Sequence, residues 1–149
     1  MTIFTGQVIA LLGAAIAFFV AGIGSSRGVG TAGQVGAGVL SEDPSKFGAV
    51  MIMEALPSTQ AIYGFVIAFL IIGQIDPSMT VAQGLNLLAA ALPMGIVGCI
   101  SAIYQGKVAA AGIQMLSKHP EALGSAITLA LMVEMFAILA LIVSILMIG

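Results

Sequence analysis

Apolar residues run almost unbroken along the chain and give way in three places. These are Ser41-Glu42-Asp43-Pro44-Ser45-Lys46, Gln74-Ile75-Asp76-Pro77-Ser78 and Ser117-Lys118-His119-Pro120-Glu121. Each joins a proline to charged or small polar residues, which is turn chemistry. Between them lie four apolar stretches, at about 3–40, 47–73, 80–116 and 122–148, and about 20 residues suffice to cross the hydrocarbon of a bilayer. The pattern predicts an all-α membrane protein with four transmembrane helices in two hairpins. The first hairpin covers 1–73, a connecting loop 74–80, and the second hairpin 80–149. The first and third stretches exceed what the membrane needs: about 37 residues at ~1.5 Å each reach ~55 Å, against a hydrocarbon core of ~30 Å. One end of each hairpin is therefore expected to project into water.

The two hairpins repeat. A shift of 76 residues aligns them without a gap, so that Gly22 meets Gly98, Ser25 meets Ser101, Gly30 meets Gly106, Gly36 meets Gly112, Leu40-Ser41 meets Leu116-Ser117 and Pro44 meets Pro120. The matches in the loop cannot come from apolar composition. Two spans per unit make this a parallel duplication, not an inverted one. The long first and third helices are rich in Gly and Ala, which lets membrane helices approach closely. The second and fourth carry the bulk, including Phe65, Phe69 and Phe136. Thin helices on a crowded concave side, with bulky ones outside, is the expected arrangement.

Composition narrows the class. Of 149 residues, 60% are hydrophobic and 7% charged, with net charge -2; soluble domains carry about 25% charged residues. A soluble enzyme domain and a disordered tail are excluded, and nucleic acid finds no basic stripe. The one cysteine, Cys99, lies in an apolar run and reads as an inert thiol. No Lys or Arg precedes Arg27, so the first stretch reads as a retained helix and not as a cleaved leader. Lys46, Lys118 and His119 flank the loops inside the hairpins, while the 74–80 loop and both ends lack Lys and Arg. The positive-inside rule places the intra-hairpin loops in the cytoplasm and both termini outside.

Two carboxylates interrupt the apolar helices, Glu54 and Glu134. An ionisable group at membrane depth is expensive and marks function by default. Glu54 stands eight residues beyond Lys46, near the loop end, where a solvated carboxylate is the simpler account. Glu134 lies 13 residues after Glu121, Gln60 lies 14 after Lys46, and Gln105 lies 13 before Lys118. With the loops level, three polar groups from three helices share one depth, about 20 Å below them. Leu56, Thr59, Gln60 and Tyr63 follow the i, i+3, i+4, i+7 spacing of one helix face. Pro57 removes a backbone donor within that turn, leaving a carbonyl, such as that of Leu56, free to act as a ligand. A carboxylate, two amides, a hydroxyl and a carbonyl form a set of hard oxygen donors. One carboxylate balances one positive charge, and Na⁺ is the simplest cation that fits. Two plainer accounts stand beside this one: a permanently protonated structural Glu134, and glutamines that hydrogen-bond helices together. Gly106-Lys107 is no phosphate loop, since Val108 stands where Ser or Thr is needed.

At these residues the chain resembles the c or K proteolipid of V-type (V/A-type) ATPases, and most of all the sodium-translocating bacterial type. The likeness covers nearly the whole chain and is strongest at Leu56–Phe65, Gln105–Gly112 and Val133-Glu134. It implies a homo-oligomeric rotor ring in the cell membrane, with helices 1 and 3 inside and 2 and 4 outside, surrounded by lipid and itself non-catalytic. The stator a/I subunit and a central-stalk d/C-type subunit would be its partners. It implies that Na⁺ is held by the Leu56 carbonyl, Thr59, Gln60, Gln105 and Glu134, with the Tyr63 hydroxyl bonded to Glu134. Each Glu134 would carry its ion round the ring, coupled to ATP hydrolysis or synthesis. A proton-carrying rotor of the same family, or a small secondary transporter, is the alternative. Arg27 and Lys107 would face the lumen or lipid headgroups, or balance Glu54.

Overall fold

The computed structural model describes residues 5–149, all helix and short turns; the start of the first apolar stretch at about residue 3 lies outside them. Helix α1 spans Gly6–Glu42, α2 Phe47–Ala55, α3 Thr59–Gly73, α4 Val81–Lys118 and α5 Leu123–Ile148. A single 3₁₀ turn, Leu56–Ser58, joins α2 to α3. It falls at Pro57, which has no N–H to continue the α-helical ladder. Among the described residues the result is four helical spans long and apolar enough to cross a membrane: Gly6–Glu42, Pro44–Gly73, Val81–Lys118 and Pro120–Ile148.

Local chemistry sets the ends. The Thr5 hydroxyl accepts the Val8 amide at the start of α1. At the start of α4, Thr80 and Gln83 form a reciprocal capping box, with bonds of 2.8 and 3.3 Å. Two loops use one device, Asp-Pro-Ser. Asp43 accepts the Ser45 amide and hydroxyl, and Asp76 accepts those of Ser78. Those hydrogen bonds to the charged form hold both carboxyls below their ordinary range. Lys46 Nζ donates to the Ser117 carbonyl at 2.5 Å, pinning the first intra-hairpin loop to the end of α4. At the other end of the bundle, Gln7 Nε2 donates to the carbonyls of Asp76 and Pro77.

Glycine and alanine decide the packing. A Cβ on Gly106 would lie 2.7 Å from the Gly28 carbonyl carbon, and one on Gly24 would lie 2.8 Å from that of Cys99. Ordinary side chains cannot be interposed there, so α1 and α4 lie backbone to backbone. Gly22, Gly30 and Gly38 face open space, so only part of the glycine run on α1 serves contacts inside one chain. Large side chains such as Phe65, Phe69, Phe136 and Leu146 point outward, as a lipid-facing surface requires.

The interior divides into two apolar clusters. One gathers Ala14, Ala17, Ile67, Ile71, Met94 and Ala137. The other gathers Ala32, Met53, Ala109, Ile113, Ala126 and Ala130. Gln60, Gln105 and Glu134 fall between them on their respective helices, so the polar layer is sealed above and below by hydrocarbon.

Candidate functional site

The second span bends its ladder at Pro57, and just after that turn Gln60 faces inward while Ile62 faces outward. Gln60 and Gln105 are fully buried, and Glu134 is 5% exposed. The six residues singled out by depth and helix face lie in one run, each within hydrogen-bonding distance of the next. The Thr59 hydroxyl lies 3.0 Å from the Leu56 carbonyl and 3.3 Å from Gln60 Oε1; its one proton serves one of them at a time. Gln60 Nε2 donates to Gln105 Oε1 at 2.6 Å. Gln105 Nε2 donates to Glu134 Oε2 at 3.1 Å and to the Ala130 carbonyl at 3.2 Å. The Tyr63 hydroxyl donates to Glu134 Oε1 at 2.6 Å. Each carboxyl oxygen of Glu134 thus accepts one donor, from a different helix.

Serines that depth and helix face do not single out support this chain. Ser101 Oγ donates to the Val133 carbonyl at 2.9 Å and lies 3.4 Å from Gln60 Nε2, joining α4, α5 and α3 beside the carboxylate. Its repeat partner Ser25 accepts the Ala61 amide at 3.0 Å. The proline turn therefore leaves a backbone donor that α1 catches, while the Leu56 carbonyl, expected to be free, takes the backbone amide and the hydroxyl of Thr59. The same solution recurs at Pro93 inside α4, where the Met94 amide donates to the buried Ser144 of α5. The signal for Ser25 and Ser101 is present in the repeat alignment; Ser144 has no counterpart there, since Ala68 occupies its repeat position.

No buried side-chain nitrogen or oxygen among the described residues lacks a partner. The layer is a closed network in which amide groups hold one another, as burial of polar groups in an apolar interior demands. Both glutamines can present either end of their amide, so the network can exchange donors for oxygens around the carboxylate by side-chain rotation alone.

The other charges lie apart. Arg27 and Lys107 are exposed, and Lys107 Nζ sits 4.8 Å from the centroid of the Tyr104 ring. Among the described residues Lys46 pairs with Asp43 at 3.4 Å, and His119 Nδ1 lies 3.2 Å from Glu121 Oε1, a contact that is ionic only when the imidazole is protonated. Glu54 therefore has no counter-charge among the described residues of its own chain.

Comparison with known proteins bears on the whole chain. The profile of the family described as the C subunit of ATP synthase matches residues 12–71 and matches again at 88–147. The chain belongs to that family. The two matches are offset by the same 76 residues as the internal alignment, so each hairpin is one family unit. Among relatives, the K subunit of the V-type sodium ATPase of Enterococcus hirae is 49% identical over 143 residues, covering 96% of this chain and 92% of that protein. The K subunit of the A-type ATP synthase of Methanocaldococcus jannaschii is 38% identical over 140 residues, 94% of this chain and 61% of that protein. The 16 kDa proteolipid of the V-type proton ATPase of Nephrops norvegicus is 30% identical over 138 residues, 91% of this chain and 86% of that protein. The resemblance to V-type proteolipids read from the Pro57 turn and Glu134 is thus a membership of this ATP synthase family, and the protein is a multi-pass membrane proteolipid.

Proposed function

We propose that this chain is the ion-carrying rotor subunit of a V-type ATPase, and that its cargo is Na⁺. Copies form a ring with α1 and α4 towards the lumen and the second and fourth spans towards lipid and stator. The observation that carries this reading is the buried chain of hydrogen bonds ending on both oxygens of Glu134. A monovalent cation replaces the donors there with oxygens: the Leu56 carbonyl, the Thr59 hydroxyl, the amide oxygens of Gln60 and Gln105, and the carboxylate. Tyr63 keeps its bond to the carboxylate and holds it in place. The Enterococcus hirae relative, part of a sodium ATPase by name, supports the choice of ion. The chain itself hydrolyses no nucleotide. ATP turnover in a soluble head turns the ring, through a d/C-type stalk subunit on the cytoplasmic intra-hairpin loops, past an a/I-type stator. Both termini lie outside the cell membrane.

The second reading is a proton rotor, which needs only Glu134 and one hydrogen-bond partner such as Tyr63. A hydrophobic carbodiimide separates the two, because it attacks the protonated carboxyl and partitions into lipid. Where Na⁺ and H⁺ compete for Glu134, labelling slows as Na⁺ rises, and slows less at low pH. Glu54 labelling is expected to ignore Na⁺. Peptide mass mapping across a sodium series reads both sites. A Glu134 rate indifferent to Na⁺ assigns the rotor to protons.

The glutamines should set the choice of ion. Replacing Gln60 and Gln105 by Leu removes two oxygens and keeps the carboxyl. Na⁺ dependence of ATPase activity is expected to disappear, with proton-coupled turnover retained. Unchanged Na⁺ affinity in the double variant would remove the amides from the ligand set.

A further inference from the structure

Glu54 is a carboxylate on an apolar helix with no cation beside it among the described residues of its own chain. It rests against α1, where a Cβ on Gly33 would lie 2.6 Å from Oε1. It is half-buried, in a groove of about 440 Å³ also lined by Val29, Leu40, Phe47 and Ser58. That groove lies on the flank formed by α1 and α2. The opposite flank is formed by α4 and α5, where Tyr104 lines a second groove with Val97, Ile100, Val133 and Phe136. The Lys107 ammonium stands over the Tyr104 ring. One flank therefore carries a carboxylate without a cation, and the other a cation without a carboxylate.

The two charges lie at one depth. The Lys46–Ser117 bond fixes the two loops against each other. Glu54 lies eight residues beyond Lys46, and Lys107 ten residues before Ser117. At ~1.5 Å per residue these are depths of about 12 and 15 Å, a difference well within the reach of the two side chains. Rotation about a ring axis normal to the membrane preserves depth and brings the α1–α2 flank of one copy against the α4–α5 flank of the next. This is a head-to-tail contact, which closes into a ring. Arg27 fits less well: it sits six residues, about 9 Å, from Gly33 along α1 and about 120° round the helix. The duplication agrees with a directional contact, since Ala130 stands at the repeat position of Glu54 and Thr31 at that of Lys107.

We propose that Glu54 of each copy forms an ion pair with Lys107 of the adjacent copy, so that this pair joins successive subunits of the ring. The proposal rests on the ring reading given above. It also explains why a carboxylate without a partner in its own chain is tolerated beside apolar helix faces: paired charge in a partly dry site costs far less than single charge.

The test is zero-length coupling of the wild-type assembly. A carbodiimide activates the Glu54 carboxyl, the Lys107 amine displaces the urea, and an amide joins the two residues. The expected result is a denaturing-gel ladder at multiples of the 15.0 kDa chain, with a Glu54–Lys107 peptide found by mass mapping. Lys107→Arg keeps the charge but cannot be acylated in this way, so it should keep the ring and lose the ladder. Glu54→Lys should lower the temperature at which the ring dissociates in detergent, and adding Lys107→Glu should recover it. An intact ring by native mass spectrometry with no such link, a link confined to single chains, or no recovery in the double variant overturns the pair and leaves the rotor reading standing. Wild-type protein that shows no homo-oligomer overturns both.

Discussion

Glu134→Gln is expected to abolish ion transport while leaving an assembled protein. The replacement is nearly isosteric, and its Oε1 still accepts from Tyr63. Its Nε2 would meet Gln105 Nε2, 3.1 Å from the oxygen it replaces, so the Gln105 amide turns and Gln60 must turn with it to keep their bond. The larger loss is charge. One unit charge about 4 Å from a cation at an effective dielectric constant near 20 contributes about 4 kcal/mol, roughly a thousandfold in affinity. Ion-coupled ATPase activity should fall to background, carbodiimide labelling in the fourth span should vanish, and the ring should still be recovered from membranes. Transport surviving in this variant would remove Glu134 from the translocation path.

Gly106→Leu is expected to prevent the chain from folding. Even a Cβ at Gly106 would lie 2.7 Å from the Gly28 carbonyl carbon, and backbone cannot step aside as the end of a side chain can. Overpacking costs typically about 1–3 kcal/mol where side chains repack, and here α1 and α4 must part instead. The repeat supplies the control. Gly30 occupies the equivalent place in the first hairpin and meets nothing within 4 Å. Gly30→Ala should leave yield near wild type, and relief of the helix penalty of glycine favours it by up to about 1 kcal/mol. Yield of folded protein in detergent compares the pair. Equal tolerance at both positions would mean that α1 and α4 do not meet as described.

These two residues show what could be read from the chain and what could not. That Glu134 shares a level with Gln60 and Gln105 is legible because the two intra-hairpin loops give a ruler, and helices advance by a constant rise. The proximity of Gln60 and Gln105 follows from the same ruler. Gly106 and Gly30 are indistinguishable by spacing, because the repeat makes them equivalent; only the way the two hairpins lie together makes one a contact and the other open. The serines are harder to read for another reason, although the repeat pairs Ser25 with Ser101. Ser25, Ser101 and Ser144 carry no charge and break no period, and their work is to receive or supply single bonds across helices. Pro57 points to a freed carbonyl, while the group that reaches across to another helix is the amide of Ala61, four residues on. Glu54 and Lys107 sit on opposite flanks and have no meaning to each other until a second copy is placed beside the first.

The duplication that left Ser58 at the position matching Glu134 has a mechanical consequence. In the proposed ring, four helices of circumference carry a single ion, where two hairpins each bearing its own carboxylate would carry two. A rotor of given girth then passes half as many ions in each revolution. The free energy delivered by one revolution is divided among half as many charges, so each can be driven against about twice the electrochemical difference before the motor stalls. Run backwards, the same rotor would turn only under a correspondingly steeper gradient. A first hairpin without a carboxylate acts as a change of gear, trading ions moved per turn for the force behind each one.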